Sequence, residues 1–321
     1  MSGSGPLRFG LAGTGYWART VHAEALASAR DLTFAAVWGR NAGAATALAA
    51  SHAAVAFTDF DAFLACVDAV AFAVPPDVQA GLAARAAAAG RHVLLEKPVA
   101  LGMEAADALV RCVEEAGVAS VVFFTALFQP DVRAWLHEAI RVGGWAGGHA
   151  IWLGTALAEA SPFNTPWRRE HGGLWDLAPH LVALLWEGLG PVRQVISDRG
   201  AGDVTHLILH HEGGASSTVT VTLAAAEAAD SFEVRLWGTA GLLRAPAETD
   251  RPGDALLCAL AELAECARRG TRHELDVRFG RDVVRVLADA QRQIDALPGA
   301  RTLLARNRGT RGQPERGRRR R

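Results

Sequence analysis

Lysine is nearly missing from this chain of 321 residues. Of its 33 basic residues, 32 are arginine and one is Lys97, in the stretch Val93-Leu94-Leu95-Glu96-Lys97-Pro98. Arginine does not release its proton near neutral pH, and its fork cannot stand in for one compact ammonium group that burial and neighbours tune. The retained lysine is therefore a candidate proton donor, set against the plainer reading of a leftover surface residue. Tyrosine is as scarce, with Tyr16 alone. Cysteine is sparse: Cys66, Cys112, Cys258 and Cys266 show no Cys-x-x-Cys spacing and read as buried or incidental thiols of a reducing compartment. No apolar run reaches the ~20 residues that span a bilayer. Met1 to Pro6 is small and polar, with no basic region leading into an apolar stretch. These absences argue against a membrane and for the cytoplasm.

Charge is plentiful but unevenly placed. The net charge is −1, yet from Arg301 onward nine arginines stand against one acid, Glu315, which leaves a body with 24 basic and 33 acidic residues. Residues 301–321 read as a basic, disordered, solvated tail, with a contact to nucleic acid or to the acidic body as the alternative. The acidic body argues against nucleic acid as the main partner.

The first 125 residues alternate short apolar runs with alanine-rich stretches. Strands are expected over 7–12, 32–38, 55–57, 69–74, 92–95 and 120–124, with helices over 17–29, 42–51, 78–89 and 103–116. Unalternated apolar strands separated by helices indicate a parallel sheet buried on both faces, a doubly wound α/β domain of the Rossmann type. After a helix over 132–142 the pattern changes. A strand is expected near 149–155, an irregular stretch to Glu170, and a helix over 173–187. Back-to-back strands follow from Val192 to Trp237, with turns at Gly200-Ala201-Gly202 and Glu212-Gly213-Gly214. Helices over 254–269 and 281–294 close the chain. This second part reads as α+β, a largely antiparallel open sheet with one face covered by helices. The expected division is 1–124, a nucleotide-binding Rossmann domain; 125–300, a substrate and oligomerisation domain; and the tail.

Three clusters carry chemistry. The first, Gly13-Thr14-Gly15-Tyr16-Trp17-Ala18, falls between a strand and a helix and has the G-x-G-x-x-A form of a dinucleotide fingerprint. Its first glycine permits a tight turn, its second admits a pyrophosphate, and its small last residue lets the helix pack. At the end of the second strand, Trp38-Gly39-Arg40-Asn41 offers no acid for ribose hydroxyls. Arg40 there is suited to grip a 2′-phosphate, with Asn41 adding a hydrogen bond, so NADP(H) is favoured over NAD(H). Val74-Pro75-Pro76-Asp77 turns sharply at the end of the fourth strand. It is expected to flank the nicotinamide side, with Asp77 as helix N-cap. The second cluster, Glu96-Lys97-Pro98, ends the fifth strand on the same edge, which aims the lone lysine at the cofactor crevice. The third runs from His171-Gly172-Gly173 to Asp176 and His180. Asp176 and His180 stand four apart, on one face of the expected helix, a plausible acid/base pair.

Together these motifs resemble the glucose–fructose oxidoreductase / inositol dehydrogenase (Gfo/Idh/MocA) family in order and spacing, over about residues 7 to 296. The resemblance implies an NAD(P)-dependent dehydrogenase or reductase that moves a hydride between nicotinamide and a secondary alcohol, ketone or aldehyde of a sugar-like or cyclitol-like small molecule. It makes Lys97, Asp176 and His180 the catalytic trio, with no metal. Trp167-Arg168 matches a step that touches the cofactor in several members, and the second sheet is implied to join copies of the chain. His180 is the first choice to exchange the hydroxyl proton because histidine titrates near the working pH. Lys97 holds or protonates the same oxygen, and Asp176 orients the substrate or the imidazole. The chain also departs from the family. Gln79 replaces a frequent histidine, the segment before Pro130 lacks Arg-Phe, and Tyr16 leaves no tyrosine to bind substrate elsewhere. With Phe128, Trp152, Phe163 and Trp167 as bulky pocket walls, a deoxygenated sugar, cyclitol derivative or less polar ketone is expected. A non-catalytic NADP-binding sensor of the same fold is the alternative, but it has no need of the trio.

Overall fold

Six short apolar segments form one parallel sheet, because strands buried on both faces need helices above and below, and a crossover helix returns each strand in the same direction. The computed structural model describes residues 5–247 and 251–297. Strands β1 (Leu7–Ala12), β2 (Leu32–Trp38), β3 (Val55–Phe57), β4 (Ala69–Phe72), β5 (His92–Glu96) and β6 (Ser120–Phe123) lie in the order β3-β2-β1-β4-β5-β6. All pairings are parallel. Strand order reverses between β1 and β4, so a crevice opens at the carboxyl ends of these two strands.

The connecting helices are α1 (Ala23–Ser28), α2 (Ala42–Ser51), α3 (Phe60–Ala65), α4 (Pro76–Ala88) and α5 (Met103–Ala116). The helix expected over 17–29 contains a π-helical turn, Ala18–His22, ahead of α1. The short α3 escaped the sequence reading; Asp59 caps it by accepting from the Ala62 N–H at 2.7 Å. Asp77 is not the N-cap of α4. That helix starts at Pro76, whose missing N–H is no loss at the first helical position, and Pro75 occupies the cap.

The second sheet takes its strands from a longer stretch. A 3₁₀ turn (Thr125–Phe128) and α6 (Pro130–Val142) lead to β7 (Trp145–Leu153), which starts four residues before the expected strand. Then come α7 (Pro166–Asp176), α8 (Ala178–Leu189), β8 (Val192–Arg199), β9 (Thr205–His211), β10 (Ser216–Thr222), β11 (Ser231–Gly238) and β12 (Gly241–Arg244). The order is β12-β11-β7-β10-β9-β8, antiparallel except for the parallel pair β7 and β10. Burial alternates along β9 and β10, so one face packs inward and the other is open. α8 packs under β7 and β10, α9 (Pro252–Arg269) returns to β5, β6 and α1, and α10 (Val277–Ala296) runs from α5 and β6 to β8. These last two helices tie the sheets together and bring the β5 terminus against α7. No helix among the described residues is long and apolar enough to cross a membrane. The basic tail from Arg301 lies outside the described residues.

Candidate active site

The crevice at β1 and β4 is built mostly from backbone and small side chains. Gly13 has φ +132°, and a Cβ there would lie 2.3 Å from the Ala73 carbonyl oxygen, so glycine is required. A Cβ on Gly39 would strike the Thr14 side chain at 2.7 Å. A Cβ on Gly15 would meet nothing, so this backbone is open to a ligand. The cavity, about 530 Å³, is lined by Gly13, Thr14, Gly15, Trp38, Gly39, Arg40, Asn41, Ala73, Val74, Pro75 and Val78. Eight of these were expected from the sequence; Trp38, Ala73 and Val78 were missed, although each neighbours an expected residue. Asn41 caps α2 with its Oδ1, which accepts from the Ala44 N–H at 2.9 Å, leaving its amide N–H groups as donors. Arg40 is exposed at the rim, and no acid accompanies it on the lining. A buried small Ala18, an open Gly15 backbone and an exposed cation at the β2 terminus fit a dinucleotide.

Tyr16, Trp17, Glu96, Lys97, Trp167 and Arg168 do not line this cavity. The Trp17 Nε1–H donates to Glu96 Oε1 at 2.7 Å, and the same oxygen lies 2.8 Å from Nε2 of the fully buried His22. Trp17 and Glu96 therefore hold each other, tying the π-helical turn to the end of β5. Tyr16 is exposed, and its ring meets Phe163 edge-on at 5.4 Å.

Lys97 reaches across to the second domain. Its Nζ donates to the Asp176 backbone carbonyl at 2.7 Å and to Asp176 Oδ1 at 3.1 Å, and both side chains are about nine-tenths buried. The free carbonyl has a local cause. Asp176 and His180 are not on one helix as expected: α7 ends at Asp176 and α8 starts at Ala178. Pro179 has no N–H to continue the ladder, and the His180 N–H turns to Leu177 oxygen at 3.1 Å. The Asp176 carbonyl is thus left for the lysine. A second break, at Gly172 with φ +65°, lets α7 start at Pro166 inside the stretch expected to be irregular.

Asp176 also accepts from Arg168, Nε to Oδ2 at 2.6 Å. Burial alone pushes its carboxyl up, but the Lys97 and Arg168 charges and hydrogen bonds outweigh this and hold it at about 2. Arg168, expected against the cofactor, is committed to this carboxylate and to the rings of Phe163 and Trp167, 5.2 and 5.7 Å from its carbon.

His180 is nine-tenths buried, packed on Trp152 with ring centroids 5.4 Å apart, and its Nδ1 has no partner. Burial first, then the Lys97 charge, lowers its pKa well below the usual histidine value, against an opposing pull from Asp176. The imidazole is neutral near pH 7, which removes the premise that it titrates at the working pH. Asp176 does not bond to the ring either, so it does not set the tautomer.

Trp152, Phe163 and Trp167 gather at this junction, and the buried Trp167 Nε1 has no partner. Phe128 does not. It is fully buried, stacked on His273 at 5.9 Å with the Arg133 guanidinium 5.0 Å above it. The 3₁₀ turn folds its ring into the core, so it is no pocket wall. No group of three or more metal-ligating side chains is found among the described residues.

A doubly wound parallel sheet with a glycine-lined crevice, joined to a mixed sheet whose helices α7 and α8 present an acid and a histidine near Lys97, defines a Rossmann-fold protein with a second, mostly antiparallel sheet. Residues 7–124 match the oxidoreductase family with NAD-binding Rossmann fold, Gfo/Idh/MocA. The chain is 39% identical over 109 residues to UDP-N-acetylglucosamine 3-dehydrogenase of Acidithiobacillus ferrooxidans, a match spanning 34% of each chain, so it covers about a third of that relative. It is 27% identical over 261 residues to inositol 2-dehydrogenase of Rhizobium meliloti, spanning 77% of each. Among solved structures it superposes on GenD2 from gentamicin A biosynthesis in complex with NAD, with TM-score 0.81, 22% identity, and 92% and 96% of the two chains covered. The WlbA dehydrogenase of Bordetella pertussis in complex with NADH and UDP-GlcNAcA gives 0.79, 22%, 93% and 99%. At these identities the structural likeness carries the fold alone.

Proposed function

We propose that this protein is an NADP(H)-dependent oxidoreductase interconverting a secondary alcohol and a ketone, or an alcohol and an aldehyde, on a sugar-like or cyclitol-like molecule. The observation that carries the proposal is the lone Lys97, nine-tenths buried, with Nζ on Asp176 across the domain junction beside a neutral His180. A buried ammonium with a donor to spare, beside a histidine with an open nitrogen, suits a carbonyl oxygen about to gain negative charge.

The Gly13–Gly15 turn, Val74 and Pro75 would hold the cofactor, and Arg40 would hold its 2′-phosphate. Bound there, the cofactor supplies or accepts the hydride. Lys97 has three N–H donors, two of them on Asp176. The third is free for the substrate oxygen, where it stabilises developing charge and gives up a proton on reduction. On oxidation the same nitrogen takes that proton back, and His180, neutral, hydrogen-bonds the hydroxyl. Asp176 keeps Lys97 aimed, and Arg168 keeps Asp176 in place. Trp152, Phe163 and Trp167 exclude water and favour a substrate with fewer hydroxyls than a common sugar. The same reading assigns residues 1–124 to the cofactor and 125–300 to the substrate. It pairs copies of the chain through the open sheet face that exposes Ile196, Ile208 and Trp237.

The test is a substrate panel followed at the NADPH absorbance band. It includes UDP-N-acetylated sugars and inositols, since relatives are named for them, with deoxygenated sugars and plain ketones. Turnover with NADPH preferred over NADH is expected. Arg40→Ser should weaken NADPH binding about 10–100-fold and leave NADH binding unchanged. No binding of either nucleotide in a fluorescence titration would sink the proposal.

A further inference from the structure

The β5 strand outruns its neighbour. β4 pairs with β5 only as far as Ala71 opposite Leu94, while β6 continues to Glu96. Successive residues of a parallel strand turn their N–H and C=O to opposite sides. Leu94 faces β4 and Leu95 faces β6, so Glu96 faces the space beyond the end of β4. Unpaired backbone groups there would be destabilising. A side chain fills that space. Gln79 of α4 is fully buried; its Oε1 accepts from the Glu96 N–H at 2.9 Å, and its Nε2 donates to the Glu96 carbonyl at 2.7 Å and the Pro98 carbonyl at 3.3 Å. A primary amide carries a donor and an acceptor on one head, as a peptide group does, so Gln79 acts as one more residue of the missing strand. The two carbonyls it holds bracket Lys97.

Two further observations narrow its role. The Glu96 side chain is anchored separately, by Trp17 and His22, so Gln79 governs the backbone alone. The Lys97 side chain, launched from the bracketed backbone, must reach two Asp176 atoms on another domain, and a shift of about 1 Å at its root would break that geometry.

We propose that Gln79 is the positioning residue of Lys97: its amide sets the backbone from which the chain's single lysine meets Asp176 and, on the function proposed above, the substrate oxygen. An imidazole at this position could meet only one of these groups at a time, because its two nitrogens point apart.

Having one lysine makes the test direct. In full-length protein grown with lysine isotope-labelled at the ε-carbon, the single ε-carbon resonance is that of Lys97. Asp176→Asn marks where that resonance goes when the partner is weakened. Gln79→Met keeps the length of the side chain and removes the amide. Its resonance should move at least halfway toward the Asp176→Asn position. NADPH binding should stay within about threefold, and kcat should fall about 10–100-fold with less change in KM. An unmoved resonance together with a lowered melting temperature overturns the proposal, since a merely structural brace does that. Should Gln79→Met not fold, Gln79→Glu keeps the acceptor and the size but loses the donor. The same displacement is expected, and its absence overturns the proposal equally. A displaced resonance in a protein whose wild type binds neither nucleotide upholds the positioning role and discards the oxidoreductase reading.

Discussion

Two clusters in this molecule are made of the same parts. At the domain junction, Asp176 sits with Lys97 and Arg168, beside His180. Between α6 and α9, Glu262 accepts from both terminal nitrogens of Arg133 and lies 2.8 Å from His273 Nε2. Both carboxyls are held at about 2 by neighbouring cations and hydrogen bonds against the upward push of burial. The difference lies in the histidines. His273 uses both nitrogens, Nε2 on Glu262 and Nδ1 accepting from the Leu275 N–H at 3.0 Å. His180 leaves its buried Nδ1 without a partner, and Trp167, against the Arg168 guanidinium, does the same with Nε1. A closed network holds helices together; a network with open valences is prepared for something to arrive. A perturbed carboxyl alone does not mark a site.

The largest test of this contrast is a matched pair of substitutions. Lys97→Met should lower kcat/KM about 10²–10⁴-fold while NADPH still binds, whereas Arg133→Met should spare turnover and lower the melting temperature. Equal losses of turnover at saturating substrate would erase the distinction. Next in size is a pair of aromatics. Phe128→Ala should destabilise the fold by about 3–5 kcal/mol with KM unchanged, and Phe163→Ala should change KM with a smaller loss of stability, both read from denaturation curves and initial rates.

Acid is the third test. The ordinary values are 3.8 for Asp176 and 4.5 for Glu262, and both are depressed in the native state. The unfolded chain therefore takes up these protons first. The stabilisation is complete above about pH 4.5 and is lost as pH falls toward 2, about 2 kcal/mol for the buried Asp176. His180, also depressed, acts in the same direction but earlier, below the usual histidine range, together with His92, His149, His171 and His211. Asp176→Asn should flatten the stability–pH curve below about pH 4; an unchanged slope would mean that the carboxyl is not depressed. The smallest effect is expected for Glu262→Gln. Its side chain is 30% exposed, so solvent screens the pair and the loss should be about 1–2 kcal/mol with nucleotide binding intact.

Much of this was legible in the sequence because it is local. Unalternated apolar runs betrayed the parallel sheet, and Gly13-Thr14-Gly15 with Arg40 outlined the crevice, since both depend on what one strand and the next turn must do. The misreadings share a cause. Phe128 read as a pocket wall because a sequence shows that a residue is large and apolar, not which way a 3₁₀ turn points it. Asp176 and His180 read as one helical face because four-residue spacing was given more weight than Pro179 between them. That Arg168 braces Asp176 was not legible, because the two are eight residues apart, across the break at Gly172. Gln79 stood out as a departure from a family pattern, yet its role depends on where β4 stops.

By itself the sequence determined the class of fold, the glycine crevice, the absence of an acid at the second strand, and the singularity of Lys97. Those follow from residue type, periodicity and short spacing, which act within a few bonds of the chain. Only the tertiary structure decided that Lys97 meets Asp176, that His180 is neutral with an open nitrogen, and that Gln79 stands in for a strand. Each of these depends on burial and on groups tens of residues apart, because desolvation and Coulomb energy are set by distance in space and not by distance along the chain.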